Sequence, residues 1–241
     1  MKKTAAVVLC AAMMLTACGG ASTTETTAAG SQAAGSEAAS SAEETKTASG
    51  DAQKLVLSTY GLSEDISEEE VYTPFENEFS CEIVTETGGT NDRYTKLAAD
   101  PNSTIDVIEL SQAMTAKGTD EGLFDTIDLS KIPNAEKLIP AAKEIAEAGQ
   151  GVPYTINVTK NCANKELAYE YINYRISEEL QTKTGKALNE APTNKDVTFT
   201  EEESKDMTYG DKAAKVKVVD YAFVNPILNN WIDQWNRTIN N

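Results

Sequence analysis

No histidine occurs in the 241 residues. That one absence excludes Ser-His-Asp and Cys-His catalysis, histidine-ligated zinc and imidazole pH switching together. Cysteine is nearly as scarce. Of four, Cys10 and Cys18 fall in the N-terminal leader region, which leaves Cys81 and Cys162, too few for a thiolate metal site. Either these two pair as a disulfide in an oxidising compartment or they sit apart as small buried residues, and both readings stay open. Basic residues are also few, 21 Lys and Arg against 38 Asp and Glu for a net charge of -17. Such a surface repels phosphate backbones, so no nucleic-acid partner is expected. A cationic ligand suits the field, although solubility alone accounts for it. No cofactor motif is present, so no cofactor is expected, and the acidic runs Glu68 to Glu70 and Glu201 to Glu203 read as solvated helix starts. With those options gone the chain does not read as an enzyme.

What is there begins with Lys2 and Lys3 and an apolar run from Ala5 to Leu15, too short to span a bilayer and shaped like a secretory signal over residues 1–17. Its removal would leave 19 basic against 38 acidic residues. The run ends in Leu15-Thr16-Ala17-Cys18-Gly19, which resembles the lipobox of bacterial lipoproteins, where the cysteine is lipidated and becomes the new N-terminus. From Gly19 to Gln53 the chain is nearly all Ala, Ser, Thr, Gly and Glu without an aromatic or large aliphatic residue, so it cannot bury enough to order itself. Residues 18–53 therefore read as a flexible tether from a lipid anchor at Cys18, with a root-mean-square reach of roughly 30 Å.

Residues 54–241 alternate strand with helix. Leu55-Val56-Leu57 running into Ser58-Thr59-Tyr60-Gly61 is an apolar run closed by a turn, as a strand buried on both faces requires. Ser67 and Glu70 form a capping box ahead of Val71, Phe75 and Phe79, with Pro74 either kinking the helix or marking its true start. Glu82 to Glu86 alternates like an edge strand, and Thr90 or Asn91 caps a helix with Tyr94, Leu97 and Ala98 on one face. Ile105 to Leu110 is a third strand, after which Ser111 caps a short helix ending near Gly122. Strand and helix in this order imply parallel pairing with right-handed crossovers, and the carboxyl ends of the three strands, near Tyr60, Thr87 and Leu110-Ser111-Gln112, share the edge where open α/β sheets bind ligands. A helix is expected over Asn134 to Ala148. Gly151 to Thr159 follows as a half-buried strand with Val152, Tyr154, Ile156 and Val158 on its apolar face. Asn164 to Lys183 reads as one helix, since Ala168, Ile172, Ile176 and Leu180 recur every four residues and Gly185 is placed to stop it. This face and the Phe75/Phe79 face each need cover, and one sheet supplies two sides. The last helix starts at Asn225-Pro226 and turns Leu228, Trp231, Trp235 and Ile239 to one side, a stripe expected to pack in the core.

The leader, the tether, Leu55 to Gly61, the Glu76 to Glu86 region, Ile105-Asp106-Val107-Ile108 with Glu121-Gly122-Leu123-Phe124, Gly151-Val152-Pro153-Tyr154, Ala163 to Tyr174 and Glu190-Ala191-Pro192-Thr193-Asn194 together resemble the solute-binding proteins of ABC importers, the spermidine/putrescine-binding group in particular. The resemblance implies an α/β, periplasmic-binding-protein-like lobe, mainly a parallel sheet flanked by helices. It also implies a departure. In that family the strand matching Gly151 to Asn157 crosses into a second lobe and another strand returns, whereas here the two are merged near 151–159. Residues 54–241 then form the first lobe with the second absent. Carried over by position, Tyr60 would pack on the ligand's alkyl chain and Ser111 and Gln112 would offer polar contacts. Tyr221 would face the cleft from the C-terminal segment.

The expected function is that of a solute-binding lipoprotein of an ABC importer, taking a polyamine or another small solute and partnered by permease subunits, in the bacterial cell envelope. A single-lobe surface lipoprotein acting as an interaction or scaffold module is the alternative. If Cys18 carries the anchor, two or more acyl chains are needed to hold it, because one binds only marginally. Fractionation of a Cys18→Ala variant should then move the protein from the membrane to the soluble fraction, and a variant that stays with the membrane contradicts the anchor.

Overall fold

A computed structural model describes residues 53–100, 102–147 and 155–239. The leader, Cys18 and the tether as far as residue 52 lie outside them, whereas Gln53, expected to end the tether, opens the first strand; Ala148 and Gly151 to Tyr154 of the expected joint also lie outside. Four strands form one sheet in the order β2-β1-β3-β4. Strands β1 (Gln53–Thr59), β2 (Cys81–Thr87) and β3 (Val107–Glu109) run parallel, and β4 (Ile156–Val158) lies antiparallel to β3. In the central β1, Leu55, Leu57, Ser58 and Thr59 are buried and Val56 is half-buried, as expected of a strand covered on both faces. The alternating exposure of β2 fits an edge.

Helix occupies Glu64 to Phe79 in three joined pieces: α1 (Glu64–Ser67), a π-helical turn at Glu68–Tyr72, and α2 (Thr73–Phe79). The expected capping box is not used. Ser67 is already helical, and Ser63, in the left-handed region at φ 51°, precedes the first turn. Pro74 neither starts nor breaks the run. A proline lacks the N–H for the ordinary bond and its ring crowds the carbonyl four residues back, and the widened π turn lies directly before it.

The two core clusters lie on opposite faces of the sheet, one holding Leu55 and Leu57 and the other in contact with Val56. The first also takes Val71, Phe75, Tyr171, Ile172 and Ile176. The Phe75 and Ile172 faces therefore share one side of the sheet instead of dividing it. Phe75 stacks on Phe79 with ring centroids 4.4 Å apart and meets Tyr171 edge-on at 5.4 Å. The other side is covered by α3 (Thr90–Ala99) through Tyr94 and Leu97, by α4 (Gln112–Asp120) through Met114, and by Phe124 beyond α4. In α3 the third buried position belongs to Arg93, and Ala98 is exposed. As expected, Ser111 caps α4, its Oγ accepting from the Met114 N–H at 3.4 Å.

The helix expected from Asn134 is split. A 3-10 segment, Pro133–Lys137, is followed by α5 (Pro140–Glu147), because the residue before Pro140 is pushed out of helical geometry. The expected long helix from Asn164 also divides, into α6 (Lys165–Arg175) and α7 (Glu178–Leu188). Ser177 breaks it by capping α7, its Oγ accepting from the Leu180 N–H at 3.2 Å, with Glu178 and Glu179 in the first turn. Gly185 lies inside α7, where an added Cβ would stand 2.6 Å from the Phe199 ring, and Asn189 in the left-handed region ends the helix.

Strand β4 is buried on both faces, not half-buried. Ile156 and Val158 enter the apolar core, while Asn157 donates to Thr115 Oγ1 at 3.0 Å and to the Thr155 carbonyl at 2.7 Å. Cys81 and Cys162 are free and buried, which settles against the disulfide, and burial together with Asp106 pushes the Cys162 thiol up to about 12. The C-terminal segment comprises α8 (Tyr221–Val224), the turn Asn225–Ile227 and α9 (Leu228–Ile239). Its cap is Asp220, not Asn225, with Oδ1 accepting from the Phe223 N–H at 3.1 Å. The tryptophan stripe is not core: Trp231 is 46% and Trp235 65% exposed.

The break at Ser177 yields a direct test. Ser177→Ala should lower stability by about 1 kcal/mol, the usual loss for an N-cap serine, seen as a reduced urea midpoint with an unchanged slope. An unchanged midpoint would mean that the cap does not hold the break.

Candidate functional site

A cleft of about 420 Å³ opens at the carboxyl ends of β1 and β3. Thr59 and Tyr60 come from the end of β1, Glu109, Leu110 and Ser111 from the end of β3, and Thr155 from the start of β4. Tyr72 of the π turn, Arg175 at the end of α6, and Thr184, Leu188 and Glu190 from α7 and beyond also line it. The lining is rich in hydroxyls, from Thr59, Ser67, Ser111, Thr155, Thr184 and two tyrosines.

Glu109 and Arg175 line it, and a second arginine, Arg93, lies behind the lining against Tyr60 and the Glu109 carbonyl. Arg93 rises from α3 beneath the edge of the sheet, 4% exposed. Its Nε donates to the Gly88 carbonyl at 2.9 Å, and its Nη1 donates to the Ser58 carbonyl at 2.9 Å and the Glu109 carbonyl at 2.5 Å. One guanidinium thus donates to a carbonyl at or next to the end of each of the three parallel strands. Burial holds it below the usual arginine range, while Tyr60 and Glu109 pull it back up. Tyr60 lies flat against it, with the guanidinium carbon 4.5 Å from the ring centroid.

Glu109 is 6% exposed at the end of β3. Its Oε2 accepts from Thr59 Oγ1 at 2.6 Å, and its Oε1 pairs with Arg175 Nη1 at 2.9 Å. The same Arg175 nitrogen donates to the Tyr171 hydroxyl at 2.9 Å. Burial first, and the Glu109 charge second, raise the Tyr72 hydroxyl above the usual tyrosine range, and burial raises Tyr171 as well. Both phenols are therefore neutral at physiological pH and act as hydrogen-bonding groups. Both Glu109 oxygens are engaged inside the protein, so its charge is neutralised before any ligand arrives.

Of the residues expected at the site, Tyr60 and Ser111 line this cleft. One Tyr60 face is taken by Arg93, and the Ser111 hydroxyl also caps α4. Gln112 and Tyr221 are not among the lining residues. The sequence reading passed over Arg93, Glu109 and Arg175. Glu109 did carry a signal: a charge inside a strand buried on both faces needs an opposite partner. Among the described residues no cluster of acidic or cysteine side chains could hold a metal ion, and no helix is long and apolar enough to cross a membrane.

A scan against protein-family models found no match, and a search of the curated proteins found none. Solved structures do match. The chain is similar to an ABC transporter protein from Clostridium perfringens, with 29% identity over 76% of this chain and 99% of that one and a TM-score of 0.72. It is also similar to an extracellular solute-binding protein from Bordetella parapertussis, with 10% identity over 77% of this chain and 98% of that one and a TM-score of 0.56, a likeness of fold alone. A shorter stretch, 37% of this chain, is 32% identical to the spermidine/putrescine substrate-binding protein PotD from Streptococcus pneumoniae, covering 27% of that chain with a TM-score of 0.34, too low to carry an argument. The fold is thus the periplasmic-binding-protein-like α/β architecture, a mainly parallel sheet flanked by helices, and its structural neighbours are solute-binding proteins of ABC transporters.

The buried pair gives the site's test. Glu109→Leu alone should destabilise the protein by about 3–5 kcal/mol, because Arg175 is left buried without its counter-charge. Glu109→Leu with Arg175→Leu should recover most of that loss, since apolar replacement of a whole buried pair is often neutral. Equal loss in the single and double variants by chemical denaturation would mean that the two residues are not coupled.

Proposed function

We propose that this chain is a solute-binding lipoprotein of an ABC importer, anchored at Cys18 and exposed outside the cytoplasmic membrane, with permease subunits as its protein partners. The observation that carries the reading is the polar cleft at the carboxyl ends of β1 and β3, in a fold whose neighbours include solute-binding proteins. Ligands of open α/β sheets bind at that edge. The chemistry found there, hydroxyls and neutral phenols around a self-neutralised ion pair, suits capture by hydrogen bonding and stacking.

In this reading the second lobe is absent and the cleft has one wall. Small-ligand sites enclose most of the ligand surface, and a site with one wall open to water exchanges its hydrogen bonds against hydration for little net gain. A polyamine-like cation is the solute that the resemblance brings. Glu109 is already paired with Arg175, so an ammonium group would draw on Glu190 at the cleft wall and on the aromatic face left at Tyr60. Stacking there contributes about 0.5–1 kcal/mol at an exposed position. Gln112 as a polar contact and Tyr221 facing the cleft enter this reading only through the resemblance.

Isothermal titration of the full chain with putrescine, spermidine and a panel of small polar solutes checks this. Saturable binding weaker than about 10 μM, weakened further in Tyr60→Ala, is expected, since the roughly −7 kcal/mol that a 10 μM complex needs exceeds what a one-walled site supplies. A tighter complex in a monomeric sample overturns the one-wall reading. No saturable binding by any solute overturns solute capture itself.

A further inference from the structure

The described residues expose ten large apolar side chains, and eight of them lie between Val216 and Ile239. Five belong to α9: Leu228, Trp231, Ile232, Trp235 and Ile239. Their spacing gathers them into one stripe along the helix. The positions flanking the stripe are Asn229, Gln234, Asn236 and Thr238, all uncharged. The only charges of α9, Asp233 and Arg237, fall on the opposite side of the helical wheel. The base of this arm is fixed. Its leading turn, α8, packs on α4, and Asn225 Nδ2 donates to the Ala113 carbonyl at 2.9 Å.

A stripe of this kind needs an occupant. Taking roughly 150–250 Å² for a fully exposed aromatic side chain and somewhat less for an aliphatic one, the exposed parts from Phe223 to Ile239 amount to on the order of 600 Å² per copy. That is at the upper end of what a monomer leaves open, and two copies together pass the roughly 1,000 Å² of total burial that a specific interface requires. Beyond the apolar run Ala5 to Leu15, which belongs to the leader expected to be removed, little else in the chain offers apolar cover. Residues 19–52 have no aromatic or large aliphatic side chain, and residues 148–154 offer only Val152, Pro153 and Tyr154 as bulky apolar groups.

Charge selects the partner. At a net charge of -17, two copies of this chain repel over most of their surface, and like charges brought together across an interface cost several kcal/mol. The α9 stripe and its flanks carry no charge, so here an identical surface can approach itself. An isologous contact buries the same patch on both copies about a twofold axis. Tryptophan, the side chain best suited to anchor such a contact, sits at its middle. We propose that two copies of this chain associate through α9 against α9. Solute capture plays no part in this contact.

The chain's own fluorescence reports it, because Trp231 and Trp235 are the only two tryptophans present. The experiment is sedimentation velocity and tryptophan emission on the mature chain, residues 18–241 carrying Cys18→Ala to keep leader and lipid out of the mass, across about 1–100 μM, where contacts of this size form. The expected result is a shift from monomer to dimer with a blue shift of emission over the same range. Trp231→Glu with Trp235→Glu should raise the dimer dissociation constant by roughly 100-fold or more, with an unchanged far-UV spectrum. A monomer throughout, with red emission at every concentration, overturns the proposal, as does a dimer that the double substitution leaves unaltered. If phosphatidylcholine vesicles shift the emission blue in a sample that stays monomeric, the stripe is a membrane face and the proposal is wrong. Should the double variant fold poorly, the concentration dependence of the unsubstituted chain decides by itself.

Discussion

The guanidinium of Arg93 is the contact on which the sheet's functional edge depends. Parallel strands finish with carbonyls that have no neighbour beyond the ladder, and buried carbonyls without donors cost free energy comparable to a lost hydrogen bond. Arg93 supplies three bonds from one side chain, to Gly88, Ser58 and Glu109. It therefore fixes where β1, β2 and β3 end relative to one another. Bonds to a charged donor contribute about 1.5–3 kcal/mol each, against the cost of desolvating the cation. The positive centre lies 4.5 Å from the Tyr60 ring centroid, so an aromatic ring that lines the cleft is oriented by the group that sets the strand ends.

Glu109 couples this edge to the helices of the other layer. Its carbonyl is held by Arg93, and its carboxylate reaches Thr59 on β1 and Arg175 at the end of α6. The contact network of the cleft floor thus passes from α3 through the sheet to α6. At the opposite end of the strands Asp106 does comparable work, accepting from the Val56 N–H at 2.8 Å with one oxygen and from the Ala163 N–H at 2.7 Å with the other. The two acids of the third strand lock it from both ends, which is why charges are tolerated in a strand buried on both faces.

That third strand also marks the limit of what the sequence makes legible. Apolar periodicity located all four strands and most helices, because burial of one face is the term that dominates each element. It failed where a local polar contact outweighed the period. Ile172, Ile176 and Leu180 keep their four-residue spacing and are all buried, yet Ser177 between them ends one helix and caps the next. Pro74 fails in the opposite sense, since the local rule demanded a boundary and the backbone widened instead. At the site, Tyr60 and Ser111 could be placed from their position after a strand. The partnership of Arg93 with three strand ends depends on tertiary distances that no sequence spacing encodes. The Trp231/Trp235 stripe has the periodicity of a core helix, and periodicity is indifferent to whether the cover comes from the same chain.

Composition and placement meet in the arginines. The sequence has three, and two of them, Arg175 lining the cleft and Arg93 behind it, have side chains largely out of water. The paired lysines, by contrast, sit on the surface about half exposed, in ion pairs such as Lys54 with Glu82 and Lys137 with Asp196. A guanidinium is weakly hydrated and presents several donors in a rigid plane, whereas an ammonium is a strongly hydrated point charge. In a chain with nearly twice as many acids as bases, surface lysines moderate repulsion at little cost in desolvation. The interior cation has to be arginine, because only its planar fork can meet carbonyls from three strands and still leave a face for an aromatic ring. Replacement by lysine at position 93 would retain the charge and lose that geometry, so it is the shape of the cation that organises the edge.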